Sequence, residues 1–199
     1  MISEKFVILA AVISFSGGMS YLKDVIKGKV KPNRVSWFLW ALAPLIAFSA
    51  EIRHGVGLPA LMTFMVGFNP LIIVIASFLN KKSVWKLSKL DIACGALSVL
   101  GLILWLVTGV GNVAILFSIL SDGFAAVPTV VKSWIEPESE NYIAFLASAI
   151  SAGITLLAIK TWDFAHVGFP IYILSICILL FVLIKFKIGT KKITAEPHI

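Results

Sequence analysis

The chain is poor in charge and in the residues that carry most enzyme chemistry. Of its 199 residues only 14% are Asp, Glu, Lys or Arg, against 59% hydrophobic. A soluble domain averages about 45–50% apolar and about 25% charged. Too little polar surface is present to cover a water-facing globule, and the bilayer is the expected solvent. Glutamine is absent altogether. The two cysteines, Cys94 and Cys177, lie inside apolar runs, which argues against a disulfide framework and for small buried apolar side chains. The three histidines, His54, His166 and His198, have no partners at ligand spacing. No nucleophile–base constellation, phosphate-cradling glycine loop or ATPase motif occurs. The chain is therefore expected to be no enzyme, with no catalytic residue, no metal and no cofactor.

What is present is apolar sequence in repeated lengths. A membrane helix needs about 20 mostly apolar residues, and seven such runs occur, at about 5–24, 35–52, 57–80, 90–108, 112–133, 142–160 and 167–186. The first is read as a retained helix, since it is long and a basic loop follows it. The net charge of +7 comes from short clusters between runs, without the interleaved aromatics of a nucleic-acid groove, so no nucleic acid is expected. Lys23, Lys27, Lys29, Lys31 and Arg34 follow the first run, and Lys81, Lys82, Lys86 and Lys89 follow the third. Lys132 follows the fifth, and Lys185, Lys187, Lys191 and Lys192 close the chain. Only Lys5, Arg53 and Lys160 fall on the opposite side. The positive-inside rule then sets the N-terminus outside and the C-terminus in the cytoplasm, in what is expected to be a plasma (inner) membrane.

The chain also repeats itself. Ser16, Gly18, Val25, Lys27 and Pro32 match Ser121, Gly123, Val130, Lys132 and Pro137 at a shift of 105 residues, which pairs Trp37 with Tyr142 and Trp40 with Phe145. Val56-Gly57-Leu58-Pro59 matches Val167-Gly168-Phe169-Pro170 at a shift of 111. Spans one to three thus repeat as five to seven, and the fourth is a linker. The expected fold is an all-α membrane protein, seven transmembrane helices in a 3+1+3 arrangement, with two parallel triple-helix repeats joined by a linker helix. Its parts are residues 1–82, 83–110 and 111–188, with a cytoplasmic tail over 189–199.

Asp122 sits about ten residues into the fifth span, roughly 15 Å deep at ~1.5 Å per residue, near the middle of a hydrocarbon core about 30 Å thick. An ionised carboxylate there costs about 2.5–3.5 kcal/mol, so it must face the interior, where it is the candidate for proton coupling. Asn69, Ser16 and Gly17 reach the same depth, and with Ser121, the counterpart of Ser16, form the candidate substrate-binding set. A structural tie between helices is the alternative for Asp122. Pro128 and Pro44 remove helical hydrogen bonds and are candidate hinges, or static kinks that shape a cavity. Around Pro137 the loop is acidic, and its counterpart is basic. Lys31 or Arg34 paired with Glu136 or Glu140 would form an inner gate, solvated loop charge being the alternative. Trp37 and Trp40 follow the basic loop closely, where interfacial anchoring is expected. Ser148, Ser151 and Thr155 among small residues read as close helix packing.

The 3+1+3 pattern and the run Asp122-Gly123…Pro128-Thr129…Lys132 resemble the SWEET / PQ-loop (MtN3-like) transporter superfamily, whose cystine carriers use a similarly placed aspartate in proton coupling. The Pro-Gln pair of that superfamily is replaced by Pro128-Thr129, and the mate of Asn69 is Leu180. The resemblance implies a secondary transporter that moves a small polar solute (a sugar, an amino acid or similar) by alternating access. Proton coupling and homo-oligomerisation stay open, and the lipid bilayer is the other partner. The alternatives are a receptor like the KDEL receptor, and a non-transporting structural subunit.

Overall fold

The computed structural model describes residues 2–53, 58, 60–80, 85–108 and 111–189. Its helices are α1 (Phe6–Ile26), α2 (Arg34–Arg53), α3 (Ala60–Leu79), α4 (Lys89–Thr108), α5 (Gly111–Ile135), α6 (Tyr142–Ala158) and α7 (Phe164–Phe186). A single 3-10 turn, Pro137–Ser139, lies between α5 and α6. Every helix end falls within three residues of the apolar run that announced it. His54, Val56, Gly57, Pro59, Lys81, Lys82, Lys191, Lys192 and His198 lie outside the described residues.

Phe6–Ile26, Ala60–Leu79 and His166–Phe186 are long and apolar enough to cross a bilayer, and Tyr142–Ala158 is a shorter apolar helix. Large side chains such as Val12, Ile92, Leu100 and Leu157 stay exposed. A helical chain that turns so much apolar surface outward is a membrane protein, because water would not tolerate it.

The helix ends are set by specific side chains. Asn33 Oδ1 accepts from Val35 N at 3.1 Å and Ser36 N at 3.4 Å, opening α2. Asn141 Oδ1 accepts from Ile143 N at 2.8 Å and Ala144 N at 3.1 Å, opening α6. Both are N-caps that satisfy otherwise unpaired amides. At the end of α1, Asn80 Nδ2 donates to the carbonyls of Val25 and Ile26 at 2.9 and 2.8 Å. Gly28 then takes φ 69°, the left-handed turn that glycine allows.

The caps refine the internal repeat. Pro32 and Pro137 match at 105, but the caps Asn33 and Asn141 stand 108 apart (141 − 33). The 3-10 turn after Pro137 takes up the difference. The counterpart of Trp37 is therefore Phe145, and that of Trp40 is Ser148, in place of Tyr142 and Phe145. The remaining three residues of the shift accumulate before α7.

Neighbour relations repeat as well. α3 lies between α1 and α2, and α7 lies between α6 and α5. α1 packs on α6, as α5 packs on α2. α4 packs on α5 and, less extensively, on α2, through a reciprocal pair: Ser98 Oγ donates to the Ser121 carbonyl at 2.6 Å and Ser121 Oγ to that of Ser98 at 2.7 Å. The α1–α6 contact is close because Gly17 has no side chain; a Cβ there would stand 2.4 Å from Ala147 Cβ.

Gly17→Ala is accordingly expected to lower stability by about 1–3 kcal/mol through overpacking. Ala147→Gly in the same chain should recover part of the loss, read by thermal unfolding in detergent.

Candidate functional site

A cavity lies in the interior of the helix bundle, with about 650 Å³ of atom-free space, its open mouth included. Its wall takes residues from α1, α2, α3, α5, α6 and α7 and, among the described residues, none from α4. Counterpart positions line it together. Trp37 and Phe145 both contribute, as do Trp40 and Ser148, Met65 and Ile176, Val66 and Cys177, and Asn69 and Leu180.

Asn69 and Asp122 both stand on this mostly apolar wall. Asn69 Nδ2 spends both hydrogens on α1, donating to the Ser14 carbonyl at 3.0 Å and to Ser14 Oγ at 3.1 Å. The approach requires Gly18, where a Cβ would meet the Asn69 side chain at 2.6 Å. On the α5 side, Asp122 is buried. Its Oδ2 accepts from Tyr172 Oη at 2.7 Å, and its carbonyl accepts from Trp40 Nε1 at 3.4 Å. Asp122 is thus held between α2 and α7.

Towards the end that carries most of the basic residues, the cavity is floored by aromatics. Tyr21 and Trp37 lie with centroids 4.4 Å apart, Trp37 and Trp40 pack edge-on at 5.4 Å, and Phe145 joins Trp37 at 6.3 Å. Trp37 is therefore a core residue, contrary to the interfacial anchoring expected of it. Its position in the first turn of α2 faces the matching turn of α6, so it meets Phe145 before it meets lipid.

Beneath the aromatics is an ionic layer. Lys132 Nζ lies 2.5 Å from Glu140 Oε1, with both side chains at 0% exposure. Tyr21 Oη donates to Glu140 Oε2 at 2.5 Å. Lys132 also donates to the Lys31 carbonyl and lies 5.0 Å over the Trp85 ring. Further out, Lys31 Nζ meets Glu136 Oε1 at 2.9 Å, each about half exposed. These two residues are 105 apart, so equivalent positions of the repeat meet each other. Glu138 pairs with Lys187 at 2.5 Å; that hydrogen bond and the ammonium charge hold the exposed Glu138 carboxyl below its usual range. The tie is present at neutral pH and is lost as pH falls through that lowered range.

The candidate residues read from the sequence separate accordingly. Asn69 and Asp122 line the cavity. Ser16 does not: it is exposed and bonds its own helix at Val12 O, 2.8 Å away. Gly17 is filled by α6, and Ser121 is engaged with Ser98 on α4. Ser14 and Gly18 take the places assigned to Ser16 and Gly17. Residue count fixes depth, but each residue also turns about 100° around the helix, and Ser16 points nearly opposite to Ser14. Lys31 pairs with Glu136. Glu140 goes to Lys132, and Arg34 turns to α3, donating from Nε to Ser77 Oγ at 3.2 Å and stacking on Phe78 at 4.2 Å. Pro44 and Pro128 are buried inside α2 and α5 without lining the cavity, whereas Pro70 of α3 does line it. Ser148 also lines it, while Ser151 and Thr155 are buried within α6 packing.

Tyr172, Tyr21 and Lys132 were not legible as site residues. Tyr21 shares a face with Ser14 and Gly18 at spacings of seven and three, a signal that was present in the sequence. Among the described residues no group of His, Cys, Asp and Glu could hold a metal. No family model, curated protein or solved structure matches the chain.

Removing one partner of the buried pair leaves an uncompensated charge, so Lys132→Met or Glu140→Gln should each cost about 3–5 kcal/mol. The double variant Lys132→Met/Glu140→Leu should lose less than the two single losses added. Thermal unfolding in detergent reads all three.

Proposed function

We propose that the chain is a secondary transporter, a seven-span protein in the 3+1+3 arrangement that moves a small polar solute by alternating access. One observation carries this reading: the cavity is lined by all six helices of the two triplets and, among the described residues, by none of the linker helix. The exchange of neighbours between α1–α3 and α5–α7 supports two like halves. Repeat transporters bind at mid-membrane between such halves, where Asn69 and Asp122 lie. With the basic end in the cytoplasm, N-terminus outside, the aromatic floor and ionic layer form the inner closure. In this reading Lys31–Glu136 is the exposed latch, and Lys132–Glu140 with Tyr21 is the inner bolt. The freed carbonyls opposite Pro44 and Pro128 give α2 and α5 places to bend. The resemblance to SWEET and PQ-loop proteins is part of the same proposal, on architecture alone.

Reconstitution in liposomes with an internal pH-sensitive dye tests the reading, with sugars, amino acids, amines and nucleosides added in pools. Solute flux accompanied by a pH change, and loss of both in Asp122→Asn, is the expected result. No flux of any pool would overturn transport in favour of a receptor or a structural subunit. For the latch, Lys31→Glu and Glu136→Lys singly should alter flux by several-fold while stability moves by less than about 1 kcal/mol, as for exposed pairs. The double swap should restore flux; failure to do so would remove the latch role.

A further inference from the structure

We propose that the cavity selects small organic cations bearing N–H donors, and that such a cation and a proton occupy the Asp122 carboxylate by turns. The inference rests on the cavity being the solute site and names what that site takes.

The charge of the wall is one-sided. Among the described residues Asp122 is its only ionisable carboxylate, and no lysine, arginine or histidine lines it. The nearest buried cation, Lys132, lies beyond the aromatic floor and is committed to Glu140. A zwitterion or an anion would bring its own carboxylate into a dry site that already holds one, with no cation to receive it.

The polar atoms left over on the wall include acceptors beside one buried donor, Trp37 Nε1. Both Asn69 amide hydrogens are used on Ser14, which fixes the amide orientation and leaves Oδ1 buried without a partner. A buried carbonyl oxygen in that state calls for a donor. Pro70, also on the wall, has no amide hydrogen for the carbonyl of Val66 four residues earlier. At Asp122, Tyr172 takes Oδ2, and no donor is seen at Oδ1 among the described residues. A sugar hydroxyl offers one donor and asks for donors in return; an ammonium or guanidinium only donates.

The remaining surface suits the body of such a cation. Trp37, Trp40 and Phe145 form one wall, Trp40 and Phe145 having centroids 6.5 Å apart, and aromatic faces attract ammonium groups. The carboxylate gives the charge a partner, the acceptors give its hydrogens places, and the rings cover its carbon.

Exclusive occupancy follows from charge balance. One carboxylate is neutralised by one proton or by one monovalent cation, and both together would leave an unpaired positive charge in a low-dielectric site. Arrival of the cation breaks the Asp122 O–H bond, and the proton leaves to solvent on the side to which the cavity is open. The protein then exchanges one proton for one cation. The titratable groups that face Asp122 are Tyr172 and Cys177 of α7. α2 presents Trp40 to it, and the titratable groups of α4, namely Lys89, Asp91 and Cys94, lie one or more turns from the Ser98–Ser121 contact towards the basic end.

Calorimetric binding to the purified full chain in detergent tests this, with benzylamine, tetramethylammonium, alanine and glucose as probes. Benzylamine should bind and alanine and glucose should not. Its apparent affinity should fall as pH is lowered, approaching tenfold per pH unit where protons compete. Asp122→Asn, checked for an unchanged elution profile and melting temperature, should abolish binding. Asn69→Ala should weaken benzylamine by about tenfold and leave tetramethylammonium, which has no N–H, nearly unchanged. Binding of alanine or glucose in preference to benzylamine, no binding of benzylamine, or benzylamine binding insensitive to pH and to Asp122→Asn would each overturn the proposal. Flux of a neutral solute without benzylamine binding removes the cation site and leaves transport standing. Benzylamine binding without flux in liposomes does the reverse.

Discussion

The buried pair of Lys132 and Glu140 is the constraint around which the basic end of the molecule is organised. Neither charge reaches solvent, and an unpaired ion in such a place is several kcal/mol too expensive to keep. The pair therefore forces its surroundings to converge. Lys132 comes from α5, Glu140 from the turn before α6, the Tyr21 hydroxyl from α1, and the Lys31 carbonyl from the connection before α2. Four segments from both halves of the chain meet at one point. Tyr21, fixed by its hydrogen bond to Glu140, presents its ring to Trp37, and Trp37 in turn to Phe145. The floor of the cavity is thus set by the ionic layer beneath it.

The caps of α2 and α6 use the same device with different parts, and the difference involves α4. Asn141 caps α6 and donates from Nδ2 to Asp24 Oδ2 on α1 at 2.5 Å. Asn33 caps α2 in the same way, and the equivalent of Asp24 is Thr129 on α5. Thr129 offers no carboxylate, and its hydroxyl is buried without a partner. Asn33 instead donates to Asp91 Oδ1 at 2.6 Å, at the start of α4. Asp91 also accepts from the Ser88 amide, so the cap of α2 and the first turn of α4 are tied to one carboxylate. The difference is local, and it ties α4 to the cap of α2 at its basic end, while Ser98 and Ser121 tie it to α5 at mid-length.

Between these supports the cavity is mostly apolar with a few convergent polar atoms, the usual composition of a ligand site. Asn69 and Asp122 are held differently. Asn69 is pinned to α1 through Ser14 and requires Gly18. Asp122 bridges α5 to α7 through Tyr172 and to α2 through Trp40. A change in the relation of the halves would alter the surroundings of Asp122 more than those of Asn69, whose partners all belong to α1.

The sequence by itself determined the apolar solvent, the helices of the described residues and their ends to within three residues. These are one-dimensional properties: apolar run length measures a bilayer, and residue count measures depth. It also set a basic loop after the first run and an acidic one after the fifth, and Lys31 of the one meets Glu136 of the other. Azimuth and partner choice were decided only by the tertiary structure. Ser14 and Ser16 differ by two residues and by about half a turn of helix, so one lines the cavity and the other is exposed. Glu140 had several lysines within reach along the chain, and only the packing of α1 against α6 and of α2 against α5 selected Lys132. Trp37 looked like a membrane anchor because its depth was known and its neighbours were not. Depth comes from the chain, whereas what a side chain faces comes from the helices set beside it.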